Sequence, residues 1–376
     1  MKKVFYYCNF PSPYYIGFLN EIGKYCELTA VFERGDSSER DSSWKNFSAP
    51  NIKNLIIMHG IHTKADMAFC PQIIKYIKKR QYDHYIIHDP ASPTGMWLIW
   101  YLKMRKIPFI LQSEGGFGGD GKTGLKEKYK KALMSKAQLY LSTMSYEREY
   151  FLAYGASKET LVRYPFASFY EKDILEQPLT QEEKKAIRAE LGVAEERVIV
   201  SVGRIIPSKA YDVLLAALRD IPEDVGVYII SGQATPDLQA LVDQYQIKNV
   251  HFVDFMPKQR LWKYYRMADF LALPTRIDTW GLFVNEAMAN GLPVITTDRC
   301  VAGLELIEDY ENGFIVKVND VLDLQNKIHL LLADKEMREK MAANNVKKIR
   351  WYTFEEQARV TLDALDALPS VRQSKK

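Results

Sequence analysis

Short apolar runs rich in Val, Ile, Leu and Tyr alternate with helix-period patterns along the whole chain. In the first half the runs predict strands at 3–8, 28–32, 54–59, 84–88, 108–112 and 138–143. Between them the pattern predicts helices at 14–25, 67–80, 92–105, 124–136 and 145–153. The second half predicts strands at 197–203, 226–232, 249–254, 269–274, 293–297 and 313–316. Its helices are predicted at 208–219, 236–245, 259–267, 281–290 and 302–308. Continuous apolar runs bounded by turn residues are strands buried on both faces, and their alternation with helices makes parallel, doubly wound sheets. The pattern occurs twice. The expected fold is therefore α/β, with two Rossmann-like domains facing a central cleft.

Residues 164–185 break the pattern with Pro and polar residues and form the linker. The expected domains are 1–168 and 169–352, with a helix at 353–376 packing back on the first. Thr353 followed by Glu356 predicts a capping box opening that helix. A chain of 376 residues with 47% hydrophobic and 26% charged content fills two ordinary cores. No segment reaches the length of a bilayer span, and the apolar run at the N-terminus meets prolines at once. The expected location is the cytoplasm, at the inner face of the membrane. Cys8, Cys26, Cys70 and Cys300 are scattered, without CxxC or metal-ligand spacing, and read as reduced structural thiols.

Charge divides unevenly. Residues 1–170 hold 24 Lys and Arg against 15 Asp and Glu, and the remainder holds 27 against 32. Basic clusters lie at 73–82 and 122–136. A basic half suits nucleic acid or an anionic membrane surface. The aromatic and Lys mixture of the second cluster favours the membrane, and no nucleic-acid partner is expected.

In open α/β sheets ligands bind beyond the carboxyl ends of the strands, so the loops there hold the chemistry. "VGRIIPSKAYDVLLAA" (202–217) places Arg204 and Lys209 after a strand and before a helix, two cations suited to a diphosphate. Gly232 follows another strand and permits close approach of a ligand. "DTWGLFVNEAMANGLPVI" (278–295) sets Asp278 in a loop and Glu286 in a helix. Gly281, Leu282 and Phe283 form the first turn, whose free amides attract an anion. Carboxylates on either side accept hydrogen bonds from sugar hydroxyls.

These segments resemble family 4 (group 1) glycosyltransferases of the GT-B fold, of the bacterial polysaccharide-biosynthesis type. The family's E-x7-E motif stands here as Asp278 and Glu286, its VGR-x4-K motif as Arg204 and Lys209, and a third motif as "GLELIEDYENGFIV" (303–316). The resemblance implies an acceptor-binding N-terminal domain and a nucleotide-sugar-binding C-terminal domain. It implies that Glu286 binds ribose, Asp278 contacts the transferred sugar, Arg204 and Lys209 neutralise the diphosphate, and the Leu282 and Phe283 amides bind the distal phosphate. It further implies a retaining hexosyltransferase without a metal or other cofactor, with a UDP-sugar favoured over a GDP-sugar. The acceptor would be a saccharide or polyprenyl-diphosphate-linked saccharide in capsule, exopolysaccharide or O-antigen assembly. Asp278 stands where the family has Glu, and Ala210 where it has Gly.

In the first half Gly17 matches the family's glycine loop at the donor. Glu114, opening the Gly-rich segment "EGGFGGDGKTG", and His88 are candidates to orient the acceptor or sugar hydroxyls as catalytic residues. Residues 115–124 are expected to act as a lid. A sugar-nucleotide-binding or scaffold subunit of the same fold is the alternative. A nicotinamide oxidoreductase would need G-x-G-x-x-G after the first strand, which is absent.

Overall fold

The structure, a computed structural model, describes all residues except 36–46, 65–66, 79, 118–123, 146–149 and 373–376. The chain forms two compact units, Met1–Phe169 with Tyr352–Lys376, and Tyr170–Trp351. Each division falls one residue from the expected boundary. Both units are built on parallel sheets, as the repeated strand and helix pattern requires.

The first unit contains β1 (Lys3–Cys8), α1 (Pro13–Gly23), β2 (Glu27–Phe32), β3 (Asn54–Ile57), β4 (Ile61–Lys64), β5 (Met67–Phe69), β6 (His84–His88), α2 (Pro93–Met104), β7 (Ile110–Ser113), α3 (Leu125–Met134), β8 (Leu139–Ser142) and β9 (Leu161–Arg163). Its sheet runs in the order β3-β2-β1-β6-β7-β8-β9. The order reverses between β1 and β6, so Cys8 and His88 end the two strands at the switch point. One face of the sheet packs Phe5, Tyr7, Tyr85 and Ile87 onto Leu98 and Leu102 of α2, all without exposed surface.

Two local expectations are corrected in this unit, and one strand was not anticipated. The helix expected at 67–80 is instead the strand β5 followed by a 3-10 turn at Pro71–Tyr76. There β4 and β5 form an antiparallel hairpin, and the buried Glu33 carboxylate accepts from the Ala68 amide at 2.9 Å. A tertiary acceptor thus holds this stretch extended, and Pro71, lacking an N–H, opens a short turn. The helix expected at 145–153 is a 3-10 turn at Tyr150–Tyr154, with 146–149 outside the described residues. Strand β9 has only three residues at the sheet edge and gave no clear apolar run.

The second unit contains α4 (Gln181–Leu191), β10 (Arg197–Val202), α5 (Tyr211–Ala217), β11 (Val225–Ile230), α6 (Pro236–Gln244), β12 (Val250–Val253), α7 (Lys258–Met267), β13 (Phe270–Ala272), α8 (Leu282–Ala289), β14 (Val294–Thr297), α9 (Val301–Leu306), β15 (Gly313–Val316), α10 (Val321–Ala333) and α11 (Lys335–Ile349). Its strand order is β12-β11-β10-β13-β14-β15, with the switch point between β10 and β13. A buried acid fixes this junction: Asp269 pairs with Arg188 of α4 at 2.9 Å and accepts from the Val198 amide of β10 at 2.8 Å.

The last helix, α12 (Phe354–Asp366), belongs to the first unit. Thr353 Oγ1 accepts from the Glu356 amide at 3.3 Å, while the Glu356 carboxylate turns to Arg359 at 2.8 Å. Beyond it the Val371 amide donates to the Asp83 carbonyl at 3.0 Å. Helix α12 crosses α1 at Gly17, where an added Cβ would lie 2.4 Å from the Phe354 ring. Gly17 therefore lies within a helix rather than in a donor loop, and its lack of a side chain admits Phe354. That corrects its expected role.

Candidate functional site

At the second unit's switch point, two loops carry the predicted donor residues. The loop after β10 begins at Gly203, whose carbonyl accepts from the Tyr211 hydroxyl at 2.6 Å. Arg204 follows, half-buried. Lys209 ends a 3-10 turn, and Ala210 caps α5 in the left-handed region, φ 56°. That conformation explains the family's glycine here and costs alanine about 1–2 kcal/mol.

The loop after β13 is clamped onto the first. Thr275 Oγ1 donates to the Ser208 carbonyl at 2.7 Å, and the Arg276 guanidinium holds the Asp212 carboxylate with bonds of 3.0 and 2.6 Å. Asp278 is fixed by its backbone: its amide donates to Arg299 O at 2.9 Å and its carbonyl accepts from the Val301 amide at 3.2 Å. Its carboxylate pairs with the Lys209 ammonium, with side-chain exposures of 17% and 15%. The ammonium also lies 5.3 Å from the centre of the Phe283 ring. Two residues 69 apart in sequence thus form one charged pair.

Gly281 caps α8 at φ 102°. The first-turn amides of α8, Leu282 and Phe283 among them, have no acceptor within the helix. Glu286 lies one turn further on and accepts from the Tyr265 hydroxyl at 3.0 Å. Burial, and then the Glu286 charge, raise that phenol well above its ordinary range. Lys258 is held below its ordinary value by burial, against the pull of Glu286 and Asp173. Gly232 lies past β11 with φ 136° and open space on its side-chain side. Tyr265 and Lys258 were missed by sequence reasoning, because neither lies in a loop after a strand.

The first unit's switch point holds a second cluster. His88, fully buried at the end of β6, meets Asp89 through Nδ1 at 3.1 Å. Its Nε2 lies 3.4 Å from the Tyr15 hydroxyl and 4.0 Å from Glu114. The Tyr15 hydroxyl donates to the Glu114 carboxylate, and Thr143 Oγ1 donates to the Glu114 carbonyl at 2.7 Å. Cys8 Sγ lies 3.6 Å from His88 Nδ1. The two predicted residues His88 and Glu114 are therefore neighbours, joined by Tyr15 and Asp89, which sequence reasoning missed. Cys8, His88 and Asp89, which sequence spacing does not bring together, offer ligand atoms within 4.8 Å of one another. Of the expected lid, residues 118–123 lie outside the described residues.

Burial alone would push the His88 imidazole down, but the Asp89 carboxylate, its hydrogen bond and Glu114 outweigh burial and raise it. Burial likewise opposes the Asp89 charge, and His88 outweighs it and lowers Asp89. The pair's stabilisation is full between the two ordinary midpoints. It is lost on the alkaline side as pH rises through the raised His88 midpoint, and on the acid side as pH falls through the lowered Asp89 midpoint. Asp89→Asn is expected to move the His88 midpoint downward, as followed by NMR of the imidazole. An unmoved midpoint would show that Asp89 does not hold the charge.

Two doubly wound parallel sheets, with clustered polar residues beyond the carboxyl ends of their switch-point strands, define the GT-B glycosyltransferase fold. Residues 183–348 match the sequence model of the glycosyl transferases group 1. A D-inositol 3-phosphate glycosyltransferase of Nocardia farcinica is 32% identical over 199 residues, covering 49% of this chain and 44% of the relative. The chain thus spans less than half the length of that curated relative. Among solved structures, Anabaena Alr3699/HepE in complex with UDP matches with a TM-score of 0.76 at 17% identity, covering 97% of this chain and all of that one. The same protein has also been solved with UDP-glucose. WaaG, a glycosyltransferase involved in lipopolysaccharide biosynthesis, matches with a TM-score of 0.64 at 14% identity, covering 96% and 98%. No helix among the described residues is long and apolar enough to cross a membrane.

Proposed function

We propose that the chain is a retaining glycosyltransferase that moves a hexosyl group from a nucleotide-diphosphate sugar to a saccharide or lipid-linked saccharide. The observation that carries this reading is the Lys209–Asp278 pair beside the start of α8. The anomeric C–O bond to the diphosphate breaks, and the electron pair leaves with the diphosphate. Lys209, Arg204 and the Leu282 and Phe283 amides receive that charge. The acceptor hydroxyl then attacks from the same face, and its proton passes to the departing diphosphate. Fixed cations take the charge, so no metal or other cofactor is assigned. Glu286, oriented by Tyr265, accepts from the ribose hydroxyls, and Gly232 leaves room for the nucleotide. Asp278 meets the transferred sugar. On the acceptor side, Glu114 faces the hydroxyls, and His88, being buried, acts as a positioning residue through Glu114 and Tyr15.

The UDP bound by HepE supports a UDP-sugar donor. The involvement of WaaG in lipopolysaccharide biosynthesis supports cell-surface polysaccharide assembly, a role that would place this chain in the cytoplasm at the inner membrane face. The basic first unit supports peripheral contact with anionic lipid, and nucleic acid is not assigned.

Incubation with a panel of nucleotide sugars tests the reading by slow donor hydrolysis. Absence of release from every donor would favour a binding or scaffold subunit instead. Glu286→Gln is expected to weaken UDP binding roughly tenfold to a hundredfold, the worth of charge-assisted hydrogen bonds. Calorimetric titration reads this, and unchanged affinity would sink the ribose assignment.

A further inference from the structure

We propose that the outer face of α2 and α3 docks onto an anionic lipid bilayer. This gives the peripheral membrane contact a definite place. It stands on observations separate from the donor site.

The inner face of α2 buries Leu98, Ile99 and Leu102. Its outer face is apolar as well: Trp97 and Trp100 stack with ring centroids 4.8 Å apart. Trp97 Nε1 donates to the Pro71 carbonyl at 3.2 Å, which satisfies its one polar atom and leaves an apolar ring. These two rings, Met67, Met96, Lys126 and Tyr129 line an open groove of about 560 Å3. Beside it Leu125 is 87% exposed, Met104 63% and Tyr129 51%. Large apolar side chains gathered in this way mark an interaction surface rather than chance exposure.

Charge decides the partner. Lys126, Lys128 and Lys131 are exposed along α3, and Arg105 and Lys106 are exposed just past α2. The one acid of α3, Glu127, bonds the Tyr154 hydroxyl and lies 3.8 Å from Lys130. The face therefore presents aromatic and aliphatic groups rimmed by exposed cations. Trp and Tyr rings settle at the headgroup level of a bilayer, and lysines beside them are drawn to anionic headgroups. The two helices are tied together: Lys103 of α2 donates to the Ala132, Leu133 and Ser135 carbonyls at the end of α3, at 2.5, 2.8 and 2.9 Å.

The test uses the full chain and vesicles of phosphatidylcholine with or without about a third phosphatidylglycerol. Flotation is expected to recover the protein with the anionic vesicles only, and less of it at high salt. Trp100→Ser with Tyr129→Ser, and separately Lys126→Glu with Lys128→Glu, should each lower the partition coefficient about tenfold or more. The lysine variant changes only exposed side chains, and unchanged melting of both variants shows that the fold is intact. No flotation with anionic vesicles, equal flotation with neutral ones, or wild-type partition of both variants overturns the proposal. So does a dimer, seen by sedimentation, that the aromatic variant dissolves, because the face then covers a second copy. Sugar transfer is not part of the readout, so failure here leaves the transferase reading untouched.

Discussion

Replacing Lys209 with methionine is expected to slow sugar transfer about 10²–10³-fold, roughly 2.7–4 kcal/mol of transition-state stabilisation. Methionine keeps the stem's packing near the Phe283 ring and removes the charge. The loss should fall mainly on kcat, because the charge on the diphosphate grows as the sugar departs. In the free protein the ammonium is already held by Asp278, in a loop clamped through Thr275 and Arg276. A cation fixed before the reaction costs no reorganisation during it. Asp278→Asn removes the counter-charge and the sugar contact together. Donor affinity should then hold while kcat falls. Because the two side chains form one pair, the double variant should lose less than the sum of the single losses. Steady-state kinetics with varied donor separates these terms. If Lys209→Met keeps the wild-type kcat, the leaving-group assignment is wrong.

Gly281→Ala is expected to destabilise the second unit by about 2–5 kcal/mol, from a strained backbone and an overpacked contact together. At φ 102° an L-residue is disfavoured, and the added Cβ would lie 2.6 Å from Cys300 Sγ. The loop at Asp278, the start of α8 and helix α9 meet here, since the Ala302 amide of α9 donates to the Trp280 carbonyl at 2.7 Å. A lowered urea midpoint with reduced UDP affinity is the expected result. Adding Cys300→Ala should recover the part due to the steric contact and leave the backbone part. Full recovery would show that the conformation at 281 costs nothing.

Most strands were legible because each is a short apolar run between turn residues. β1, β6 and β15 match their expected bounds, and most others fall within two residues. The hairpin of β4 and β5 was not legible. Its strands are three or four residues long, and one is held by Glu33, which lies 35 positions earlier than its partner Ala68. A periodic pattern in that stretch read as a helix, and the tertiary acceptor and Pro71 decided otherwise.

The placement of the residues proposed for the donor was legible for a local reason. Arg204 to Lys209, and Asp278 to Glu286, each span one strand-turn-helix unit, so spacing alone places them in a loop and a helix start. Gly17 was misread because a glycine after a strand fits a loop as well as a close helix contact. Only Phe354, from the far end of the chain, tells the two apart.

The sequence by itself determined two doubly wound halves, the returning C-terminal helix, and the loops that hold Arg204, Lys209, Asp278 and Glu286. The tertiary structure alone decided which of these groups touch. Tyr15 reaches Glu114 across 99 positions, Cys8 reaches His88 across 80, and Lys209 reaches Asp278 across 69. The physical reason is the switch point in each sheet. It sets side by side the carboxyl ends of β1 and β6, and of β10 and β13, which are distant in the chain. Periodicity reports what one segment buries, and the strand order decides which segments meet.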